Sequence, residues 1–152
     1  MKARTVQHAT FVIEANYDAP VDRVYAAFAD PALKRRWFGD AEGWKDVTYD
    51  LDFRVGGSER SRSREPGGGQ VYLYQGRYHD IVPNGRIVVA YDMTVDGKQL
   101  SSSLATVEFL PADGNKTRLI YTEQAAYLDG ADKPEDREAG CRWLLDQVRK
   151  VL

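Results

Sequence analysis

The stretch SLATVEFLPADGNKTRLIYTEQAAY, Ser103 to Tyr127, decides the fold. Two runs with a period of two flank Asp113-Gly114-Asn115, a step that favours the tight turn of a β-hairpin. Arg118 is taken to face water, which places Thr117, Leu119, Tyr121 and Glu123 on the opposite, inner face. On the preceding run Val107 and Phe109 point inward, and the small residues Ala105, Ser103 and Ser101 follow on the same side. A carboxylate on the inner face of an otherwise apolar strand calls for an explanation. Glu123 either anchors a ligand or lies half-exposed at a strand end beside the Asp129-Gly130 loop.

The same period extends towards the N-terminus. IVVAYDM and VYLYQGRYHDIV read as strands joined by PNGR, and VDGK turns the chain into the run above. Inward positions there are Tyr74, Tyr78, Val89, Tyr91 and Met93. Val47, Tyr49, Leu51, Phe53 and Val55 alternate with polar residues until Gly56-Gly57. GSERSRSRE is almost wholly polar. With Ser61 and Ser63 facing inward, Arg60, Arg62 and Arg64 form a solvated outer face interleaved with Glu59 and Glu65. FVIEANY, Phe11 to Tyr17, is the first strand. Two short helices follow it, in APVDRVYAAFAD and in DPALKRRWFG, where Asp30-Pro31 serves as cap and first turn and Leu33 and Trp37 lie one turn apart. A long helix from about Glu135 to Leu152 closes the chain, with Cys141, Leu144, Leu145, Val148, Val151 and Leu152 as its apolar stripe. The order predicts an α+β fold: a curved antiparallel sheet holding one amphipathic helix in its concave face.

A chain of 152 residues is expected to form a single domain, 1–152. With 21 basic and 23 acidic side chains, its net charge of -2 gives no general attraction to nucleic acid or to an anionic membrane. One cysteine excludes an internal disulfide, and no leader or spanning segment is read in MKARTVQHATFVIEA, so a cytoplasmic location is expected. His8, His79 and Cys141 offer no metal-ligand spacing, and no cofactor is expected.

The motifs APVDRVYAAFADPALKRRWFG, DLDFRVGG, YHDIVPNGRIVVAYDM, LATVEF and TEQAAYLDG, in this order before a terminal helix, resemble the SRPBCC superfamily of START-like, helix-grip proteins. Within it they are similar to bacterial proteins related to the activator of heat-shock protein 90 ATPase. The resemblance covers Phe11 to Leu152. It implies a seven-stranded sheet gripping the last helix, with a cavity between them. It implies no single activity, since lipid carriers, hormone receptors, polyketide cyclases and oxygenase subunits share the fold. Many relatives have Gly-Trp early in the last helix. Here the pair is Gly140-Cys141, and Trp143 is expected to point away from the stripe, as a possible homodimer contact. The iron ligands and Rieske cysteines of the oxygenases are absent, and the further N-terminal domain of the eukaryotic activator has no counterpart in these residues.

The leading expectation is therefore a cavity that binds a small hydrophobic or aromatic ligand. Its candidate walls are Trp37 and Leu145 on the helices and Tyr49, Phe53, Tyr74 and Tyr78 on the earlier strands. Tyr91, Met93, Ser103, Tyr121 and Glu123 complete it from the later ones. Two alternatives stand beside it: a cyclase- or dehydratase-like enzyme with Glu123 or a tyrosine as acid-base group, and a protein-interaction module of the chaperone-activator kind. No catalytic constellation is read. His79 and Asp80 point to opposite faces of a strand, Ser101 to Ser103 lack a nucleophile elbow, and Cys141 falls on the buried stripe.

Overall fold

The computed structural model describes residues 4–152. Seven antiparallel strands form one sheet in the order β1-β7-β6-β5-β4-β3-β2. The strands are β1 Val6–Tyr17, β2 Lys45–Leu51, β3 Ser58–Arg64, β4 Val71–Val82, β5 Arg86–Val95, β6 Lys98–Ala112 and β7 Lys116–Leu128. Between β1 and β2 lie α1 (Val21–Ala29), α2 (Pro31–Lys34) and a π-helical turn, Arg35–Gly39; after β7 come α3 (Pro134–Gln147) and a 3₁₀ turn, Val148–Val151. The fold is the expected helix grip. Among the described residues no helix is long and apolar enough to cross a membrane.

The hairpins form where local chemistry allows them. Asp96 and Gly97 both have positive φ, as do Gly114 and Asn115, so these two turns carry the twist that antiparallel strands need. Asp30 caps α2 by accepting from the amides of Ala32 (2.9 Å) and Leu33 (3.4 Å). The π turn then closes with the amide of Asp40 donating to the carbonyl of Arg35. Its extra residue turns Trp37 and Gly39 into the interior, next to the buried Lys34.

The alternation read from the sequence sets the register. Tyr49, Ser61, Tyr74, Met93, Ser101 and Tyr127 are successive cross-strand partners and form one row across the concave face. The adjacent row runs Glu59, Gly76, Tyr91, Ser103 and Ala125. A third runs Tyr78, Val89, Ala105, Glu123 and Phe11.

Three expectations are corrected here. Val55 lies beyond the end of β2 and is 57% exposed, because the strand stops at Leu51 and the chain turns through Gly56 at positive φ. Glu59 is not on the outer face: it shares the parity of Ser61 and Ser63 and is 1% exposed. The terminal helix is α-helical only to Gln147, after which Val148 continues the buried stripe on a tighter turn.

Candidate functional site

Between the sheet and α3 lies a cavity of about 370 Å³. Its floor is made by β4, β5 and β6, with Tyr74, Tyr78, Val89, Tyr91, Met93 and Val107 as principal side chains. Its roof is the middle of α3, where Gly140, Cys141, Leu144 and Leu145 face it. Phe28, Trp37 and Phe38 close the end formed by the short helices. The rim carries Trp44, edge-on to Tyr72 at 5.5 Å, and the half-exposed Trp143. The volume exists because small residues (Ser61, Ser63, Ala105, Gly140) stand among the aromatic ones.

Two carboxylates are buried beside this cavity, each held by side chains from several elements. Glu123 is fully buried because β7 continues to Leu128 and covers it, so the strand-end alternative does not hold. Its Oε1 accepts from the hydroxyls of Tyr91 (2.8 Å) and Tyr121 (2.6 Å), and its Oε2 accepts from Ser103 (3.4 Å). Arg137, from the first turns of α3, lies 3.5 Å from Oε2. The same guanidinium donates to the Tyr91 hydroxyl (2.9 Å), Ser101 (2.8 Å) and Asp132 (2.8 Å). Arg137 thereby ties the helix to β5, β6 and β7.

At the other end Glu59 receives Lys34, whose Nζ lies 3.2 Å from Oε1 and 3.1 Å from Oε2. Tyr78 donates to Oε1 at 2.8 Å, and the Tyr49 hydroxyl donates to Oε2. The ammonium also sits 4.6 Å from the centre of the Phe38 ring and 5.3 Å from that of Trp37, both favourable cation–π placements. A buried charge is tolerable only when it is paired and hydrogen-bonded, and both sites meet that condition.

Burial governs the acid-base state of the surroundings. It pushes the phenols of Tyr74, Tyr91 and Tyr121 well above the ordinary tyrosine value, with neighbouring negative groups adding to the rise. Burial, with help from the Glu123 charge, pushes the Cys141 thiol up to about 12. These phenols and this thiol are therefore hydrogen-bonding groups near neutrality rather than proton shuttles.

Of the residues named from the sequence, Trp37, Tyr74, Tyr78, Tyr91, Met93, Tyr121 and Leu145 line the cavity. Tyr49 and Phe53 stand behind the floor, Tyr49 on Glu59 and Phe53 edge-on to Tyr78 at 5.0 Å. Ser103 and Glu123 lie behind Tyr91 and Tyr121 rather than on the cavity surface. Trp143, read as pointing away from the stripe, is on the rim. Sequence reasoning missed Lys34, Glu59 and Arg137. Glu59, read as outward, shares the parity of the inward Ser61 and Ser63, and Arg137 falls one helical turn before Cys141 on the buried stripe; both signals were present.

An antiparallel sheet closed over one C-terminal helix, with a largely apolar cavity between them, defines a helix-grip protein of the SRPBCC type. The fold is compatible with ligand binding. The chain belongs to the family described as Activator of Hsp90 ATPase homolog 1-like protein, whose profile matches residues 18–152. Similar solved structures include a protein from Rhizobium leguminosarum, with 39% identity, 99% of this chain and 97% of that chain covered, and a TM-score of 0.92. A protein from Rhizobium loti is 45% identical over 97% of this chain and 99% of its own, with a TM-score of 0.88. A third, from Chromobacterium violaceum, is 27% identical over 93% and 94%, with a TM-score of 0.75. No curated protein matches the chain.

Proposed function

We propose that this protein binds a small, largely apolar, aromatic ligand between its sheet and α3. The observation that carries the reading is the cavity of about 370 Å³ with aromatic side chains on its floor, end and rim. That volume falls within the roughly 300–1,000 Å³ of small-molecule sites. The stack of Tyr74 on Tyr91, with centroids 4.5 Å apart and planes at 24°, fixes two aromatic rings in the floor against which an apolar ligand can pack. The high phenol and thiol values around Glu123 favour binding over acid-base turnover.

Native mass spectrometry of gently purified protein, with extraction of whatever co-purifies, tests for the natural ligand. Isothermal titration calorimetry with naphthalene tests the cavity itself. Saturable binding with a negative heat-capacity change, lost in a folded Met93→Trp variant that fills the floor, is the expected result. Failure of naphthalene to bind saturably, or equal binding by the filled variant, refutes the reading.

A further inference from the structure

We propose that the ligand carries a cationic amine, held at the cavity mouth between Asp136 and the rings of Trp143, Tyr72 and Trp44 while its apolar body lies inside. This deepens the ligand-binding reading and rests on it. Charge around the cavity is unbalanced. Among the described residues only Lys34, Arg137, Asp132 and Asp136 are both charged and part of the lining. Lys34 is matched by Glu59 and Arg137 by Glu123, the two carboxylates buried behind the wall.

Asp132 and Asp136 are then in excess. Asp132 shares the one guanidinium of Arg137 with Glu123, and Asp136 forms no ion pair with another described residue. Two cations thus stand against four carboxylates, which leaves the cavity with net negative charge. A cleft with low-dielectric walls focuses such a field, which draws a cation towards it and repels an anion.

The surplus lies where the cavity opens. Asp136, Gly140 and Trp143 fall at i, i+4 and i+7 of α3 and share one helix face, and all three line the cavity. All three are also exposed, Trp143 at 48%. A Cβ at Gly140 would meet no neighbouring element within 4 Å, so the face is open between the carboxylate and the indole.

The facing lip is formed by Trp44 and Tyr72, whose rings meet edge-on at 5.5 Å. Burial, and then the charges of Glu65, Asp132 and Asp96, hold the Tyr72 phenol above its ordinary value, which sets Asp132 close to this lip. Tyr72 and Asp132 also share the wall of a smaller hollow beside the cavity. Aromatic rings attract a cation through the negative face of the π-system, tryptophan most strongly. At an open mouth an ammonium keeps part of its hydration, so it avoids the cost of burying a charge in the floor. A ligand carboxylate gains nothing here, because Lys34 and Arg137 are already held by buried carboxylates.

The test is calorimetry at neutral pH and low salt on the full chain, with naphthalene, naphthylmethylamine, naphthylmethanol and naphthoate. The amine is expected to bind roughly three- to tenfold tighter than the isosteric alcohol, the worth of an exposed ion pair with a cation–π contact, and naphthoate at least about threefold weaker than the alcohol. High salt should remove most of the amine's advantage, since the mouth is open to water. Asp136→Asn and Trp143→Leu alter exposed side chains; each, checked for folding by circular dichroism, should lower the amine-to-alcohol affinity ratio towards one. An amine no tighter than the alcohol, a ratio unchanged in either variant or in high salt, or naphthoate binding as tightly as the amine would overturn the amine site while naphthalene binding still stood. Absence of naphthalene binding would instead defeat the cavity reading beneath it.

Discussion

Replacing Arg137 with methionine isolates the contribution of the ion pair that joins α3 to the sheet. The side chain of Arg137 is 9% exposed and that of Glu123 is fully buried, so the deleted charge leaves a carboxylate with no cation and no route to water. Breaking a buried pair from one side costs about 3–5 kcal/mol. The lower end is expected, because Tyr91 and Tyr121 still donate to Glu123. For a chain of this size each kcal/mol moves the midpoint by roughly 2–4 °C, so about 3 kcal/mol gives a fall in Tm of roughly 6–12 °C. Urea unfolding followed by circular dichroism should show a lower midpoint with the same m-value. Adding Glu123→Gln to Arg137→Met removes the stranded charge while keeping an acceptor for both tyrosines. The double variant should therefore be more stable than the single one, by about 1–3 kcal/mol. An Arg137→Met protein within about 1 kcal/mol of wild type would refute the assignment of Glu123 as a charge that depends on this partner.

The opposite cluster gives a parallel expectation: Lys34→Met strands Glu59 and should cost about 3 kcal/mol in urea unfolding, with Lys34→Arg far milder. Gly76→Ala places a methyl group 3.0 Å from Tyr74 Cε1 and 3.2 Å from Val89 Cγ2, and should destabilise by about 1–3 kcal/mol while weakening naphthalene binding in calorimetry. All nine tyrosines have phenols raised by burial, and Cys141 is raised to about 12 for the same reason. The folded state therefore retains protons that the unfolded chain releases. Stability is full below the unfolded thiol and phenol values and falls as pH rises through about 9–12. Phenolate absorbance should then appear late and together with loss of circular dichroism; gradual ionisation of a still-folded protein would contradict it. Native protein at mildly alkaline pH should likewise resist thiol alkylation until urea unfolds it.

Period and turn chemistry made the sheet legible. The Asp-Gly and Asn-Gly steps define which strands pair, and the outward Arg118 defines the inward face of β7, so the inward positions of Tyr121 and Glu123 are legible in the sequence. Much of the floor followed from the same parity. What was lost is the partner of each buried charge. SERSRSR carries no apolar residue to mark its inner face, and its Glu59 is compensated from β2, β4 and α2, separated in sequence by 10, 19 and 25 residues. Local propensity says nothing about such contacts. Lys34 was similarly hidden, since an isolated lysine in DPALKRRWFG reads as solvated until the π turn and the sheet enclose it.

The polar clusters also explain why the cavity stays open. Among its apolar side chains the α-helical part of α3 fully buries only Cys141 and Leu145, a thin apolar contact for a helix of 14 residues. Apolar attraction alone would favour collapse of the helix onto the floor. Polar contacts instead fix it at both ends: Arg137 ties its first turns to Tyr91, Ser101 and Glu123, and the Tyr17 hydroxyl donates to the Leu145 carbonyl at 2.6 Å. Arg149 continues the second attachment, bonding the Asn16 carbonyl at 2.8 Å and lying over the Tyr17 ring. The intervening segment, with Gly140 and Leu144, spans the cavity as a roof supported from its ends. Hydrogen bonds have short, directional optima, so they hold the helix at a fixed height where dispersion would draw it inward. The charges buried beside the cavity thus belong to its architecture, and the surface they leave uncovered is largely aromatic.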